Sequence, residues 1–210
     1  MTPPDRTSAL RDVGDVASSP AARAQRRGVV RASRWTFSEP ATFWVLAVLF
    51  LMLFFASAAA SPLYPIYKER FGFSSSTLTA VFAVYVVALL ATLLFLGSIS
   101  DYLGRLPVII SALALSGVAC LVFVGADGVS ALFLARALQG IATGLATGAI
   151  GAGLIDLDPP GRQRASLVTS SFSTLGLGLG ALVTSILVQY APAPTRLIWW
   201  ALLVGFALGL

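Results

Sequence analysis

The stretch Gly97-Ser98-Ile99-Ser100-Asp101-Tyr102-Leu103-Gly104-Arg105 is a short charged connection between two long apolar segments. Residues 77–96 before it and residues 107–126 after it contain no Asp, Glu, Lys or Arg. Each segment has the length of a bilayer-crossing helix, about 20 residues at about 1.5 Å rise per residue. So short a connection makes the two helices antiparallel neighbours. Because burying charge in lipid is costly, Asp101 and Arg105 are expected at the membrane surface. The stretch indicates a polytopic membrane protein.

The composition also indicates that lipid is the solvent. The chain is 57% hydrophobic and 11% charged, whereas soluble domains have about 25% charged residues. It has no His, which excludes imidazole metal sites and histidine proton relays, and its single Cys120 excludes an intramolecular disulfide. The net charge of +5 would also suit a nucleic-acid-binding protein. Membrane orientation explains that charge better, because most basic residues lie in one tail, so we expect no nucleic-acid partner, metal or cofactor.

The chain divides into a polar tail and six apolar segments. Residues 1–39 are rich in Arg, Ala, Ser and Pro, and we expect a disordered, basic, cytoplasmic tail there. Residues 40–210 are predicted to form an all-α transmembrane domain. Its segments are Phe43–Tyr64, Leu78–Ser98, Val108–Gly125, Val129–Ile155, Ala165–Tyr190 and Leu197–Leu210. The last segment is short for a span and stops without a polar flank, so we expect a truncated sixth helix.

The distribution of Lys and Arg predicts the orientation. Seven Arg of the tail would share one side of the membrane with Arg105, Arg162 and Arg164, which makes ten. The opposite side would hold three: Lys68, Arg70 and Arg196. The positive-inside rule therefore places the amino terminus in the cytoplasm. We expect the Arg residues of the tail to be solvated, and contact with anionic headgroups is the alternative.

Arg136 is the outstanding residue of the fourth segment. It lies about two turns inside an otherwise apolar helix, where a charge costs about 2.5–3.5 kcal/mol on insertion scales. We expect it to face a water-filled cavity or a partner, with Gln139 on the same face. The alternative is an Arg that extends toward the outer surface without a role in transport.

Glycines recur every four residues on the same segment. Gly140, Gly144 and Gly148 form a smooth strip along one face of a helix. Small residues in a membrane helix allow a second backbone to approach closely. We expect another helix to pack against this strip.

The end of the first segment carries polar side chains next to two prolines. These side chains are Ser57, Ser61 and Tyr64, and the prolines are Pro62 and Pro65. Prolines free backbone carbonyls, which would place polar groups along a cavity. A helix end at the membrane interface, where Tyr is common, explains the pattern equally well.

The fifth segment contains Gly176, Gly178 and Gly180 at alternate positions. A nucleotide-binding loop is disfavoured, because no strand precedes these glycines and no Lys follows them. Clustered glycines in a membrane helix allow close packing or local bending. Packing and a mechanistic role are compatible, since a helix that rocks must also pack.

Two of these patterns resemble signature motifs of the major facilitator superfamily of secondary transporters. The family's connection between its second and third helices matches at Gly97, Asp101, Gly104 and Arg105. Tyr102 and Leu106 stand where that motif has further basic residues. The Arg-x-x-Gln-Gly pattern of the family's fourth helix matches at Arg136, Gln139 and Gly140.

The family's fifth-helix motif, typical of antiporters, matches in part. Gly176 and Gly180 occupy its glycine positions. Ala181 stands where the motif has Pro, and Thr184 and Ser185 stand where it has a Gly pair. This segment therefore supports antiport less than a complete motif would.

The resemblance covers residues 43–210 and implies the amino-terminal six-helix half of a twelve-helix fold, without its carboxy-terminal half. It implies that the first and fourth helices line a central cavity and that the turn from Asp101 to Arg105 locks the cytoplasmic side. Asp156 would be a further partner of Arg105 in that gate. Arg136 would couple proton or substrate binding to the conformational change, and substrate would bind near the bilayer midplane.

The expected function is secondary active transport of a small organic solute by alternating access in a bacterial inner membrane. It requires no ATP, and efflux in exchange for protons is the preferred direction. The alternative is a truncated or half-size membrane module that does not transport by itself. A membrane enzyme is disfavoured and no catalytic residue is assigned, because the chain has no His and no acidic pair within a span.

Overall fold

The computed structural model describes residues 39–159 and 163–210, and within them the regular structure is entirely helical. The predicted tail lies outside these residues except for the backbone of Glu39. The helices are α1 (Glu39–Ala59), α2 (Tyr64–Phe71), α3 (Ser75–Leu96), α4 (Ile99–Leu103), α5 (Arg105–Val124), α6 (Val129–Asp156), α7 (Arg164–Tyr190) and α8 (Pro194–Gly209), with a 3₁₀ turn at Ser61–Leu63 between α1 and α2.

Five stretches of the described residues are long and apolar enough to cross a membrane. They are Pro40–Phe71, Ser75–Leu96, Arg105–Val124, Val129–Asp156 and Arg164–Tyr190. The apolar helix α8 is shorter, at 16 residues. The prediction of an all-α membrane protein is therefore confirmed.

The first span continues further than the sequence indicates. Pro62 lies in the first turn of the 3₁₀ segment and Pro65 in the first turn of α2. Proline is tolerated there because the N–H groups of a first turn have no partner within the helix. The first predicted segment, Phe43–Tyr64, thus ends too early, because the residues from Tyr67 to Phe71 are helical as well. The helix ends at Gly72, whose φ of 66° suits a glycine C-cap.

Helices α1 and α6 organise the packing. α6 contacts α1, α3 and α5, while α7 packs along α1 and α8 packs along α5. The interior holds large apolar side chains such as Leu46, Leu53, Leu132 and Ile150, each at most 1% exposed. This arrangement places one face of α6 against both α1 and α3.

The outer helices present apolar surface. On α3, Val87 is 65% exposed and Leu94 is 78% exposed, and Leu182 on α7 is 57% exposed. Such side chains would destabilise a soluble protein but not one surrounded by lipid, since lipid is as apolar as the side chains. The surface agrees with a multi-pass membrane protein.

Candidate functional site

Arg136 lies inside the helix bundle and is 2% exposed. Its Nη1 donates to the carbonyl oxygen of Ser57 on α1 at 3.0 Å and to Oε1 of Gln139 at 2.7 Å. The guanidinium therefore turns inward, between α6 and α1. An Arg extended toward the outer surface does not describe this geometry, and neither does direct exposure to an open cavity.

Gln139 connects the same two helices. Its Nε2 donates to the carbonyl oxygen of Ala56 at 2.9 Å, while its Oε1 accepts from Arg136. The side chain thus uses both ends of its amide. Because hydrogen bonds are strong where water is absent, this pair ties α6 to the carboxyl end of α1.

Aromatic rings surround the remaining faces of the Arg136 guanidinium. The central carbon Cζ lies 4.6 Å from the ring centroid of Tyr85, 5.5 Å from that of Phe82 and 5.7 Å from that of Tyr64. Cations within about 6 Å of a ring centroid are attracted to the face of the ring. These rings bring α3 and α2 to the site, and we call Arg136, Gln139 and the three aromatic residues the arginine cluster.

A chain of hydroxyl groups adjoins the arginine cluster. Tyr85 Oη donates to Ser57 Oγ at 3.0 Å, Ser57 Oγ donates to the carbonyl oxygen of Leu53, and Thr143 Oγ1 lies 3.3 Å from Ser57 Oγ. Ser57 and Tyr64 thus belong to this buried polar region. Ser61 does not, because its side chain makes no hydrogen bond within the described residues.

A second polar site lies at the opposite end of α6, where α4, α5 and α6 meet. Arg105 Nη1 donates to Ser100 Oγ at 2.7 Å and forms an ion pair with Asp101. Arg105 Nε forms an ion pair with Asp156 Oδ2 at 3.2 Å. The structure therefore brings Asp101, Arg105 and Asp156 together, and we call these three residues the ion-pair site.

Backbone geometry explains the glycine within the ion-pair site. Gly104 has φ 92° and ψ 154°, a combination that essentially only glycine adopts. This residue lets the chain reverse between α4 and α5 without a longer loop. Asp101 and Arg105 consequently lie on either side of one tight turn.

The strip of glycines on α6 packs against α3. A Cβ added at Gly140 would lie 2.5 Å from the carbonyl oxygen of Tyr85, and one at Gly144 would lie 2.7 Å from Cβ of Thr92. At Gly148 it would lie 3.0 Å from the carbonyl oxygen of Gly97. At Gly140 and Gly144 the two helices approach too closely for a side chain, and at Gly148 a Cβ would be a tight contact.

The glycines of α7 pack against α1 in the same manner. A Cβ at Gly176 would lie 2.5 Å from the carbonyl oxygen of Leu51, and one at Gly180 would overlap the carbonyl oxygen of Phe55. Gly178 faces away, with no atom within 4 Å of such a Cβ. Helices α1 and α6 are thus each held against a neighbour by glycine.

A cavity of about 440 Å³ lies away from the arginine cluster, between the start of α1 and the start of α7. Phe43, Trp44, Asp158, Arg164 and Leu167 are among its lining residues. None of the predicted site residues lines it. Among the described residues, no group of three His, Cys, Asp or Glu side chains is placed to hold a metal ion.

Sequence reasoning missed three members of these sites. Thr143 lies seven residues after Arg136, on the same helical face as Arg136 and Gln139, so that spacing contained the signal. Tyr85 is a hydroxyl-bearing residue in the middle of an apolar segment, which also sets it apart. Phe82 offered no such signal, because an apolar segment accommodates Phe anywhere.

Comparison with known proteins relates most of the chain to one protein family. The family model of the Major Facilitator Superfamily matches residues 46–210. The chain is also similar to the quinolone resistance protein NorA of Staphylococcus aureus, in strains N315 and MW2 among others. The identity is 26% over 149 residues, which covers 68% of this chain and 38% of each NorA protein. The match therefore spans well under half the length of these relatives.

Proposed function

The chain belongs to the Major Facilitator Superfamily, and we propose that it forms the amino-terminal half of a secondary active transporter that exports a small organic solute. In this proposal proton exchange drives export, and a carboxy-terminal half of similar size completes the transporter. The protein lies in a bacterial inner membrane with its amino terminus in the cytoplasm. Its NorA relatives are named quinolone resistance proteins, which supports export of organic compounds.

The observation that carries the proposal is the burial of Arg136, which lies on α6, between α1, α2 and α3. A charge inside a membrane segment is costly, and such residues commonly mark the path of a substrate or ion. Here the guanidinium is held by α1, by its own helix α6, and by rings of α2 and α3. A shift of α1 or α3 against α6 would change the surroundings of this charge. A charge so placed can couple ligand binding to helix movement.

The ion-pair site has the energetics of a contact that opens and closes. The side chains of Asp101 and Asp156 are 57% and 59% exposed, and that of Arg105 is 25% exposed. Exposed ion pairs contribute about 0–1 kcal/mol each, so water can replace them at little cost. We assign this site the role of a cytoplasmic gate that is closed in one state and open in the other.

Together the two sites suggest a mechanism of alternating access. The arginine cluster lies near the amino end of α6, and the ion-pair site involves its carboxyl end. One helix therefore links the buried charge to the gate. Substrate or proton binding near Arg136 would displace α6 relative to α1 and α3, and the ion pairs of Arg105 would break or form in response.

The test is transport by the complete encoded protein in proteoliposomes, measured with a fluorescent quinolone and an imposed proton gradient. We expect uptake that requires the gradient and stops when a protonophore collapses it. At equal insertion, Arg136→Ala should lower the initial rate about tenfold or more, the scale of losing a charged hydrogen bond. Asp101→Asn should lower it by up to about fivefold, the scale of an exposed ion pair.

Asp127→Asn is the matched control, since Asp127 is an exposed carboxylate in the connection between α5 and α6. It should transport like the parent. Uptake no greater than that of empty liposomes would contradict the proposal and favour a membrane module that does not transport. Parental rates in both Arg136→Ala and Asp101→Asn would show that the roles assigned here are wrong.

A further inference from the structure

The positive charge of Arg136 has no counter-charge among the described residues. The ion pairs of this part of the chain both involve Arg105. Residues 72–100, 129–155 and 163–210 contain no Asp or Glu at all. Since a buried charge without an opposite charge is costly, a ligand that brings an anion would be bound favourably here.

The hydrogen bonds of Arg136 leave one edge of the guanidinium unused. Both bonds to the described residues come from Nη1, which faces Ser57 and Gln139. The Nε–H is buried and has no acceptor within the described residues. Nε and Nη2 form the edge of a guanidinium that binds the two oxygens of one carboxylate side by side. The geometry thus suits a planar anion with two oxygens.

The surroundings of that charge favour an aromatic ligand with a single negative charge. The rings of Tyr64, Phe82 and Tyr85 form the wall around the guanidinium. The other Lys and Arg of the described residues lie close to helix ends, away from Arg136. A dianion such as phosphate would therefore have one cation to bind, which balances only half of its charge. Aromatic rings pack well against further aromatic rings.

We infer that Arg136 binds the carboxylate of an aromatic monocarboxylic acid, whose ring packs against Phe82 and Tyr85. This inference rests on the proposed function, because the acid is the substrate class of that transporter. Phe82 is 37% exposed and Tyr85 is partly exposed, whereas Tyr64 is 1% exposed. Because Arg136 Nε is buried, the acid reaches it only when side chains of this wall move aside, and Phe82 and Tyr85 on α3 are the more exposed of them.

Equilibrium binding of radiolabelled 2-naphthoate and of the neutral 2-naphthamide to the complete encoded protein tests the inference. The parent should bind the acid about tenfold or more tightly than the amide, the effect expected of a charged hydrogen bond. Arg136→Gln should lose most of that preference, because it weakens binding of the acid far more than binding of the amide. Arg136→Lys should keep part of it, because Lys supplies the charge but not the planar fork.

A second variant keeps the test independent of Arg136, whose removal can disturb folding. Phe82→Ala leaves both hydrogen bonds of Arg136 in place and removes one ring of the wall. It should weaken binding of acid and amide alike by several-fold. Phe95→Ala is its control, since Phe95 lies on the same helix, is 77% exposed and is remote from Arg136.

Two results would overturn the inference. The first is equal binding of acid and amide by the parent, which would mean that another part of the encoded protein neutralises Arg136. The second is an unchanged preference for the acid in a folded Arg136→Gln protein. Binding is measured without a gradient and does not depend on transport. A protein that binds the acid through Arg136 but moves no compound would therefore contradict the proposed transport and leave this inference standing.

Discussion

At the scale of single residues, the two charged sites differ in how water reaches them. Arg136 is buried, and its hydrogen bonds go to a backbone carbonyl and a buried amide. Arg105 is partly exposed, and its partners are carboxylates that water also reaches. Removing a buried partner leaves an unsatisfied charge, whereas removing an exposed one leaves a solvated charge. The first contact suits a permanent site and the second a reversible one.

Substituting Asp156 tests whether the ion-pair site is reversible. Asp156→Asn should change the free energy of unfolding by less than about 1 kcal/mol, because exposed ion pairs contribute no more. The measurement is thermal unfolding of the purified protein at low and high salt, with Asp127→Asn as the unpaired control. A loss of several kcal/mol would identify a permanent structural contact and remove the argument for a gate.

Gly104 makes a prediction about backbone strain. Gly104→Ala should lower stability by about 1–3 kcal/mol, because a side chain is strained at φ 92° and ψ 154°. Thermal unfolding measures the effect. Gly128→Ala is the matched control, since Gly128 also precedes a helix but has an extended φ of −170° that any residue adopts. Equal melting temperatures of the two variants would show that the turn does not require glycine.

At the scale of helices, glycine determines which pairs pack closely. In lipid the apolar exteriors of helices gain little from mutual burial, so close backbone contact has to come from small residues. The two glycine strips provide it for α6 against α3 and for α7 against α1. In each contact only one of the two helices supplies the glycines. Those of α7 face Leu51 and Phe55 on α1, and those of α6 face Tyr85 and Thr92 on α3. Such a smooth contact also suits the sliding of helices that the proposed alternating access requires.

The α1–α7 contact can be tested with two neighbouring glycines of the same helix. Gly180→Ala should destabilise the protein by about 1–3 kcal/mol, the usual cost of overpacking. Gly178→Ala should be neutral or slightly stabilising, because its Cβ would meet no atom within 4 Å and Ala favours helix. Unfolding of both variants by heat is the measurement. Similar melting temperatures would indicate that α7 does not pack on α1 through this face.

At the scale of the whole molecule, different interactions hold the helices together at the two ends of the bundle. The ion-pair site joins α4, α5 and α6 at one end. At the other end, Trp199 on α8 stacks on Phe123 of α5 at 4.0 Å between ring centroids, and its Nε1 donates to Tyr67 Oη on α2. These aromatic groups are buried. One end is thus held by buried apolar contact and the other by solvated charge.

The proposed orientation predicts which end faces the cytoplasm. In a Cys120→Ala background, we expect Glu69→Cys to react with a membrane-impermeant maleimide in intact cells. Tyr102→Cys should react only after the cells are permeabilised. Both positions are exposed, and they lie beyond opposite ends of α3. The reverse labelling pattern would contradict a cytoplasmic amino terminus and the role of the ion-pair site as a cytoplasmic gate.

The sequence by itself determined the class of fold and the positions of its charges. Length and hydropathy of a segment decide whether it can cross lipid, because every backbone polar group must then be satisfied within a helix. The same constraint made Arg136 and Asp101 conspicuous. The family motifs pointed to the pairing of Arg105 with Asp156. The extent of the first span was misjudged, because proline ends some helices and begins others.

Only the tertiary structure decided what surrounds each charge. Arg136 turns inward to Ser57 because the glycine strip brings α6 against α3, whose Tyr85 and Phe82 cover the guanidinium. Apolar periodicity on a membrane helix says little about which face meets which neighbour, since lipid and protein interior are equally apolar. The partners of a buried charge therefore follow from helix packing and not from local sequence.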